Sequence, residues 1–316
     1  MGPPSPQPSP RAGEGANVRL RPREPINGVL LLNKPVGITS NAALQKAKWL
    51  LNARKAGHTG TLDPFADGLL PLCFGEATKF SAYLLEADKH YRAVMQLGVT
   101  TTTGDPEGEI LDTREVHVSH DDILAVLPRF KGEIEQIPPM HSALKHQGRP
   151  LYEYARAGIE IDRPPRKVTI RSLELVACDP PRVVLDVQCT AGTYIRTLAQ
   201  DIGAALGCGA HLTALTRTAA GGFSLEQAHT LADLEALEAN QRQSWLQPAD
   251  CLVAHLPLLQ LDETDTTALC QGRSINYSGP HAGLMRMYTS TNRFLGLAHA
   301  DAGQLVPQRL IATQQA

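Results

Sequence analysis

Gly57-His58-Thr59-Gly60-Thr61-Leu62-Asp63-Pro64, continued by Phe65-Ala66-Asp67-Gly68-Leu69-Leu70, is the stretch on which the reading of this chain turns. Three of its first eight residues are Gly or Pro, and Pro64 pushes Asp63 out of the helical region, so an irregular loop is expected there. A carboxylate held in such a loop, after a histidine and two threonines, is poor packing material and good site material. Alone, an Asp-Pro step reads only as a turn. Asp67, four residues on, leaves open a paired-carboxylate site of the glycosidase kind. Aromatic residues make up only 5% of the chain, against a sugar-binding cleft.

Working outward, Val29-Leu30-Leu31-Leu32 predicts a buried strand and Lys34-Pro35-Val36-Gly37 a turn. Thr39 or Ser40 is placed to cap a helix over about 41–51. On the other side, Tyr91–Gly98, Val168–Val176 and Val183–Cys189 alternate like strands. Ala191-Gly192-Thr193 then turns the chain into a helix from about Tyr194 to Leu206. Between these strands, residues 128–166 are rich in Pro, basic residues and polar aromatics, which predicts a protruding segment. Residues 225–237 read as an acidic helical connector. Short strands over 256–261, 284–288 and 294–298, separated by Gly and Pro turns, predict a small all-β module at the C-terminal end. Residues 1–24 are Pro, Ser, Gly and Arg with little aliphatic content and are expected to be a disordered tail.

Composition narrows the classes. At 316 residues and 42% hydrophobic, the chain is long enough for two domains and too apolar to be disordered. No apolar run reaches the roughly 18 residues of a membrane helix, and the N-terminus lacks the apolar stretch of a signal peptide. The six cysteines form no CxxC pair, so neither a zinc site nor a disulfide framework is expected, and a reduced, cytoplasmic protein is. The net charge of -2 hides an uneven distribution. Residues 1–100 carry 12 Lys/Arg against 7 Asp/Glu, residues 225–270 carry 1 against 8, and residues 271–316 carry 4 against 1. Two basic ends around an acidic middle are compatible with a polyanionic partner and do not prove one.

Of the other candidates, His58 has no second His or Cys at ligand spacing, against a metal site. Tyr91, at a strand start, reads from position alone more readily as a core residue than as a functional one. Arg196, one turn into a helix beside Ile195 and Leu198, should be partly buried and then needs a carboxylate partner, which the sequence does not name.

A resemblance now enters. LLLNKPVGITS (30–40), GHTGTLDPFADGLL (57–70), KHYRAVMQLGVTTTTGDPEGE (89–109), IPPMHSALKHQGRPLYEYAR (137–156), GTYIRTLAQDIG (192–203) and LTRTAAGGFS (215–224) together resemble the TruB family, the bacterial tRNA pseudouridine-55 synthases. The resemblance covers nearly the whole chain from about residue 27. It implies an α+β fold: a catalytic domain over 25–248 on a mixed, largely antiparallel sheet with flanking helices, a thumb-like insertion at 128–166, and a small all-β PUA-type RNA-binding domain over 249–316. It implies isomerisation of uridine to pseudouridine at position 55 in the tRNA T loop, by base flipping and without cofactor or metal. Asp63 is then the catalytic carboxylate, attacking C1' or C6, and Arg196 its ion-pair partner, expected to hold the Asp pKa low. Tyr91 stacks on the extruded base with its hydroxyl near the C5 proton. His58 belongs to the loop that fills the vacated space, and Tyr194 and Leu215 line the pocket. Lys34 belongs to the strand–turn that braces the loop and counts among the substrate-side residues. Lys145, Arg149 and Arg156 are expected at phosphates. The family further implies a monomer with no obligatory protein partner. Competing readings are a non-catalytic RNA-binding protein or tRNA-folding chaperone, which has no use for a paired Asp63, and the catalytic subunit of a guide-RNA particle, which shares the Asp motif.

Overall fold

The computed structural model describes residues 22–312. Most of the expected N-terminal tail lies outside them, but Glu24 does not behave as tail. Its N–H donates to the Asn52 carbonyl and its carbonyl accepts from Arg54 N–H, both at 2.8 Å, so the fold begins by Glu24.

In chain order the body contains β1 (Gly28–Lys34), α1 (Ser40–Leu50), β2 (Ala56–His58), β3 (Asp67–Phe74), α2 (Ser81–Leu85) and β4 (Lys89–Leu97). A hairpin of β5 (Val99–Thr101) and β6 (Ile110–Thr113) and helix α3 (His120–Val126) lead to β7 (Gly132–Gln136). The two-residue strands β8 (Lys145–His146) and β9 (Arg149–Pro150) and helix α4 (Leu151–Arg156) precede β10 (Arg166–Asp179) and β11 (Arg182–Cys189). Then come α5 (Ile195–Ala205), β12 (Ala210–Ala220), β13 (Phe223–Ser224), β14 (His229–Thr230) and α6 (Leu231–Ala236).

The main sheet has the order β14-β1-β3-β12-β4-β11-β10-β7, with β2 on β3 and β13 on β12. Only β1/β14 and β3/β12 run parallel. The unbroken apolar runs of β1 and β3 follow from burial on both faces. Leu30, Leu32, Leu70, Leu72 and Phe74 join the core under α1, whereas Val29, Leu31, Leu69 and Cys73 join a second core on the opposite face. Helix α1 is capped by Thr39, whose hydroxyl accepts from Ala42 N–H at 3.0 Å, and it buries Ala43, Leu44, Ala47 and Leu50.

A second, five-stranded sheet follows: β15 (Leu258–Leu261), β16 (Ile275–Asn276), β17 (Gly283–Thr289), β18 (Phe294–Asp301) and β19 (Gln304–Leu310), ordered β15-β17-β18-β19-β16. Three of its strands, β15, β17 and β18, fall where alternation placed them, whereas β16 and β19 were not expected from the sequence. It also carries one helix, α7 (Glu263–Cys270), started by Asp262, which the strand pattern did not suggest. Leu297 of this sheet and Leu252 and Val253 before it complete the second core, and Phe80 meets Phe294 at 5.4 Å between ring centroids. The C-terminal sheet therefore packs on the back of β1 and β3, away from α1.

Two sequence expectations change. The segment 128–166 does not protrude throughout: Gly132–Gln136 is the edge strand of the main sheet, paired along β10. Its polar Glu-Ile-Glu alternation suits an edge strand with one wet face. The acidic stretch 225–237 is not one helix. Successive capping boxes, Ser224 with Gln227 and Thr230 with Asp233, break it into a single turn, the β14 bridge and α6.

Candidate active site

The Asp63 loop is fixed at three places, Thr61, Leu62 and Pro64, by the elements around it. Arg217 Nη1 donates to the Thr61 carbonyl at 3.4 Å. Ser40, buried on α1, donates its hydroxyl proton to Leu62 O at 2.9 Å and accepts from Leu62 N–H at 2.7 Å. Gly37 N–H donates to Pro64 O at 2.7 Å, and Ala66 N–H closes the turn on Asp63 O at 3.1 Å. The turn supplying Gly37 is itself held by Lys34, whose Nζ donates to Pro35 O and Ile38 O at 2.8 Å each. Lys34 is 0% exposed, and desolvation lowers its pKa to about 8. It is thus not placed to touch RNA; it belongs to the scaffold beneath the loop.

Asp63 opens into a cavity of about 510 Å³ that His58, Tyr91, Tyr194, Arg196 and Leu215 also line. Six of the ten sequence candidates thus meet in one place. Lys34, Lys145, Arg149 and Arg156 do not line it. Arg149 pairs with Glu153 at 2.8 Å and lies over the Tyr154 ring, while Arg156 lies over Tyr152, so this segment presents its arginines against its own tyrosines.

Arg196, second residue of α5 and 4% exposed, is the hub. Its Nε sits 3.0 Å from Asp63 Oδ2 and its Nη1 3.0 Å from Asp105 Oδ2. Nη1 also donates to Thr103 O at 2.9 Å, and Nη2 donates to His141 O at 2.5 Å. The sequence left Arg196's partner unnamed; the structure supplies two. Asp105, 2% exposed, is held in its turn by the Thr103 hydroxyl and by Glu107 N–H at 3.0 Å. The second carboxylate near Asp63 is therefore Asp105, and Asp67 does not line the cavity. No spacing rule links residues 63, 105 and 196.

The expected sign of the Asp63 shift is reversed. The carboxylate keeps 40% exposure toward the open cavity, but the walls around it restrict water. This desolvation raises its pKa above the ordinary 3.8; Arg196 pulls it down, and Asp105 pushes it up again.

Tyr91 enters from β4, directly opposite Arg217 on β12. Burial raises its phenol and Arg217 opposes this. Sequence reading missed Arg217 and Lys89, which both line the cavity. Lys89 Nζ closes the end of α2 by donating to Leu84 O, Leu85 O and Ala87 O. Burial of His58 lowers its pKa, leaving a neutral ring at pH 7. Gly68 permits the β3/β12 join: with φ +100, a Cβ there would stand 2.4 Å from Arg217 O.

Gln136 ties the segment after β7 to the site, accepting from Tyr194 N–H at 3.0 Å and donating to Tyr194 O at 3.2 Å. Among the described residues, no group of three or more His, Cys, Asp or Glu could hold a metal ion, and no helix is long and apolar enough to cross a membrane.

Comparison with known proteins places this geometry. Residues 48–195 match the N-terminal domain model of the TruB family pseudouridylate synthases. Residues 196–254 match the tRNA pseudouridylate synthase B C-terminal domain, and 257–311 the C-terminal domain of pseudouridine synthase II TruB. The tRNA pseudouridine synthase B of Thiobacillus denitrificans is 74% identical over 93% of this chain and 99% of that protein. The Chromobacterium violaceum protein of the same name is 57% identical over 92% and 97%. Among solved structures, a chain of a Cbf5-Nop10-Gar1 complex superposes with a TM-score of 0.66 at 32% identity, covering 86% of this chain and 78% of its own length. A chain of an H/ACA RNP bound to a substrate RNA containing 2'-deoxyuridine gives 0.68 at 27%, covering 91% and 86%. With three consecutive family models spanning its fold and near-full-length relatives at this identity, the chain belongs to the TruB family of pseudouridylate synthases, which are isomerases.

Proposed function

We propose that this chain isomerises uridine to pseudouridine at position 55 in the T loop of tRNA. The observation that carries the reading is Asp63: a carboxylate on a triply fixed loop, opening into a nucleotide-sized cavity and paired at 3.0 Å with a buried arginine. Its relatives bear the name tRNA pseudouridine synthase B, which supports tRNA as the substrate.

The reaction breaks C1'–N1, turns the base and joins C1' to C5, so atoms balance without an external electron carrier. A uridine within a folded loop must leave its stack to reach Asp63. Asp63 attacks as the anion, on C1' or C6, with Arg196 offsetting its charge. Tyr91 stacks on the base and takes up the C5 proton, Tyr194 and Leu215 wall the pocket, and His58 belongs to the loop that fills the vacated stack. Lys145, Arg149 and Arg156 meet phosphates, the arginines by leaving their tyrosines. The C-terminal sheet, with Arg273, Arg286 and Arg293, reaches tRNA beyond the T loop. The catalytic unit is 25–248 and the RNA-binding module 249–316, in a cytoplasmic monomer that needs no cofactor.

The test is release of tritium from tRNA labelled at uridine C5, with wild type and Asp63→Asn side by side. One equivalent released by wild type alone, and none from tRNA altered at the T-loop uridine, supports the reading. No release from bound tRNA would instead favour an RNA-binding or chaperone role.

A further inference from the structure

Arg217 is 1% exposed, and among the described residues no carboxylate lies within ion-pair distance of it. Its Nε donates to Leu69 O at 2.7 Å and its Nη1 to Thr61 O at 3.4 Å, while the buried Nη2 has no hydrogen-bond partner. A buried guanidinium left without a carboxylate is costly, and folds keep such groups rarely. What faces this one is Tyr91: the ladder sets the two residues directly opposite on adjacent strands, and both line the cavity.

We propose that Arg217 is a positioning residue that holds the Tyr91 hydroxyl in the cavity and makes its anion available as the acceptor of the C5 proton. The inference rests on the proposed pseudouridine synthase reaction. When C5 has joined C1', its C–H bond breaks. The proton goes to the Tyr91 oxygen, the bonding pair restores C5=C6, and N1 takes a proton from water. Tyr91 then returns its proton to solvent at the cavity mouth. The charged and titratable groups around the phenol are Arg217 on β12, Cys189 on β11, Asp63 on its loop and Lys89 two residues along the same strand. Burial, Cys189 and Asp63 oppose the anion; Arg217 is the largest influence in its favour. A carboxylate partner for Arg217 would cancel that influence, which gives the missing ion pair a purpose.

The test reads Tyr91 directly. Phenolate absorbance is titrated in wild type and in Tyr91→Phe, and the difference isolates Tyr91; the same subtraction is made in an Arg217→Gln background. Arg217→Gln should move the Tyr91 titration up by about one pH unit or more. Turnover near neutral pH should fall roughly tenfold or more with the KM for tRNA within a few fold, the loss narrowing as pH rises. An unmoved titration, or a loss equal at all pH, overturns the proposal. If the Gln variant does not fold, Arg217→Lys is combined with Tyr91→Phe. Once the hydroxyl is gone, the lysine should cost no further turnover; independent, multiplying losses overturn the proposal. Wild-type tRNA that releases no tritium overturns the reaction assignment instead, whereas the titration reads Arg217's effect on Tyr91 without turnover.

Discussion

Two arginines are buried in the walls of one cavity, and their surroundings are opposite. Arg196, at the start of α5, is enclosed by Asp63, Asp105 and two carbonyls. Arg217, in mid-strand on β12, donates to two carbonyls and faces Tyr91, with no carboxylate at ion-pair distance among the described residues. The Arg196 side is a charge-compensated network spanning three distant segments, whereas the Arg217 side keeps net positive charge under Tyr91, His58 and Lys89. The cavity thus has a balanced wall, where a carboxylate is held, and a cationic wall, which favours anions and neutral amines. An enzyme that needs one ionised acid and one deprotonatable phenol at the same pH is served by that division.

The comparison is broken most severely by Asp63→Asn. Turnover by tritium release should fall roughly a thousandfold or more while tRNA binding changes within a few fold. Stability should move the other way. The folded-state pKa of Asp63 lies above its unfolded value, so the folded chain binds the extra proton between the two, and stability falls as pH rises through that window. At pH 7 that cost is fully present, and thermal melting of Asp63→Asn should lie at or above wild type. In the wild type the same raised pKa predicts that kcat/KM falls on acidification at a pH above the ordinary carboxylate value of 3.8. An acidic limb at or below that value would show that Arg196 outweighs burial.

Arg196→Ala comes next and distinguishes the walls by stability. It strips the partner from buried Asp105 as well as from Asp63, and should cost about 3–5 kcal/mol in urea unfolding besides most of the activity. Near-wild-type unfolding would mean that the network is not a fold-stabilising unit. Asp105→Asn should be milder, keeping a hydrogen-bond acceptor for Arg196 while leaving it a single full charge partner; a turnover loss of about tenfold or more is expected. The smallest effect belongs to an exposed arginine outside the cavity. Arg149→Ala should leave kcat unchanged and raise the KM for tRNA a few fold, more at low salt than at high.

How much of this was legible beforehand follows from how local each feature is. The strand Val29–Leu32, the Asp63 loop and the helix carrying Arg196 are spelled by neighbouring residues and fold where the pattern put them, except that Gly57 and His58, expected in the loop, pair with β3 as part of β2. Asp63 was readable because Gly and Pro surround it. Asp105 was not: its burial comes from Arg196 arriving 91 residues later. Arg217 alternates like any strand residue, and its isolation is a property of the space around it. Gly132–Gln136 escaped notice because an edge strand with one wet face carries little apolar signature, and α7 because eight residues around a single buried leucine resemble a turn between strands. Arg149 and Arg156 were visible as charges, while their tyrosine partners at 4.9 and 5.4 Å were not.

The join between β3 and β12 carries one more consequence, for the order in which the chain acquires its shape. Here the sheet is stitched by two register pairs, Asp67 with Thr216 and Gly68 with Arg217, and the Arg217–Leu69 bond spans 148 residues. Contacts of that separation pay their loop-closure entropy before anything rewards it and form late. The first half of the chain can pair β1 with β3 as soon as both exist, but the floor beneath Tyr91 stays open until β12 has left the ribosome. A nascent chain stalled before residue 217 therefore holds Asp63 on its loop without the cavity that gives the residue its environment.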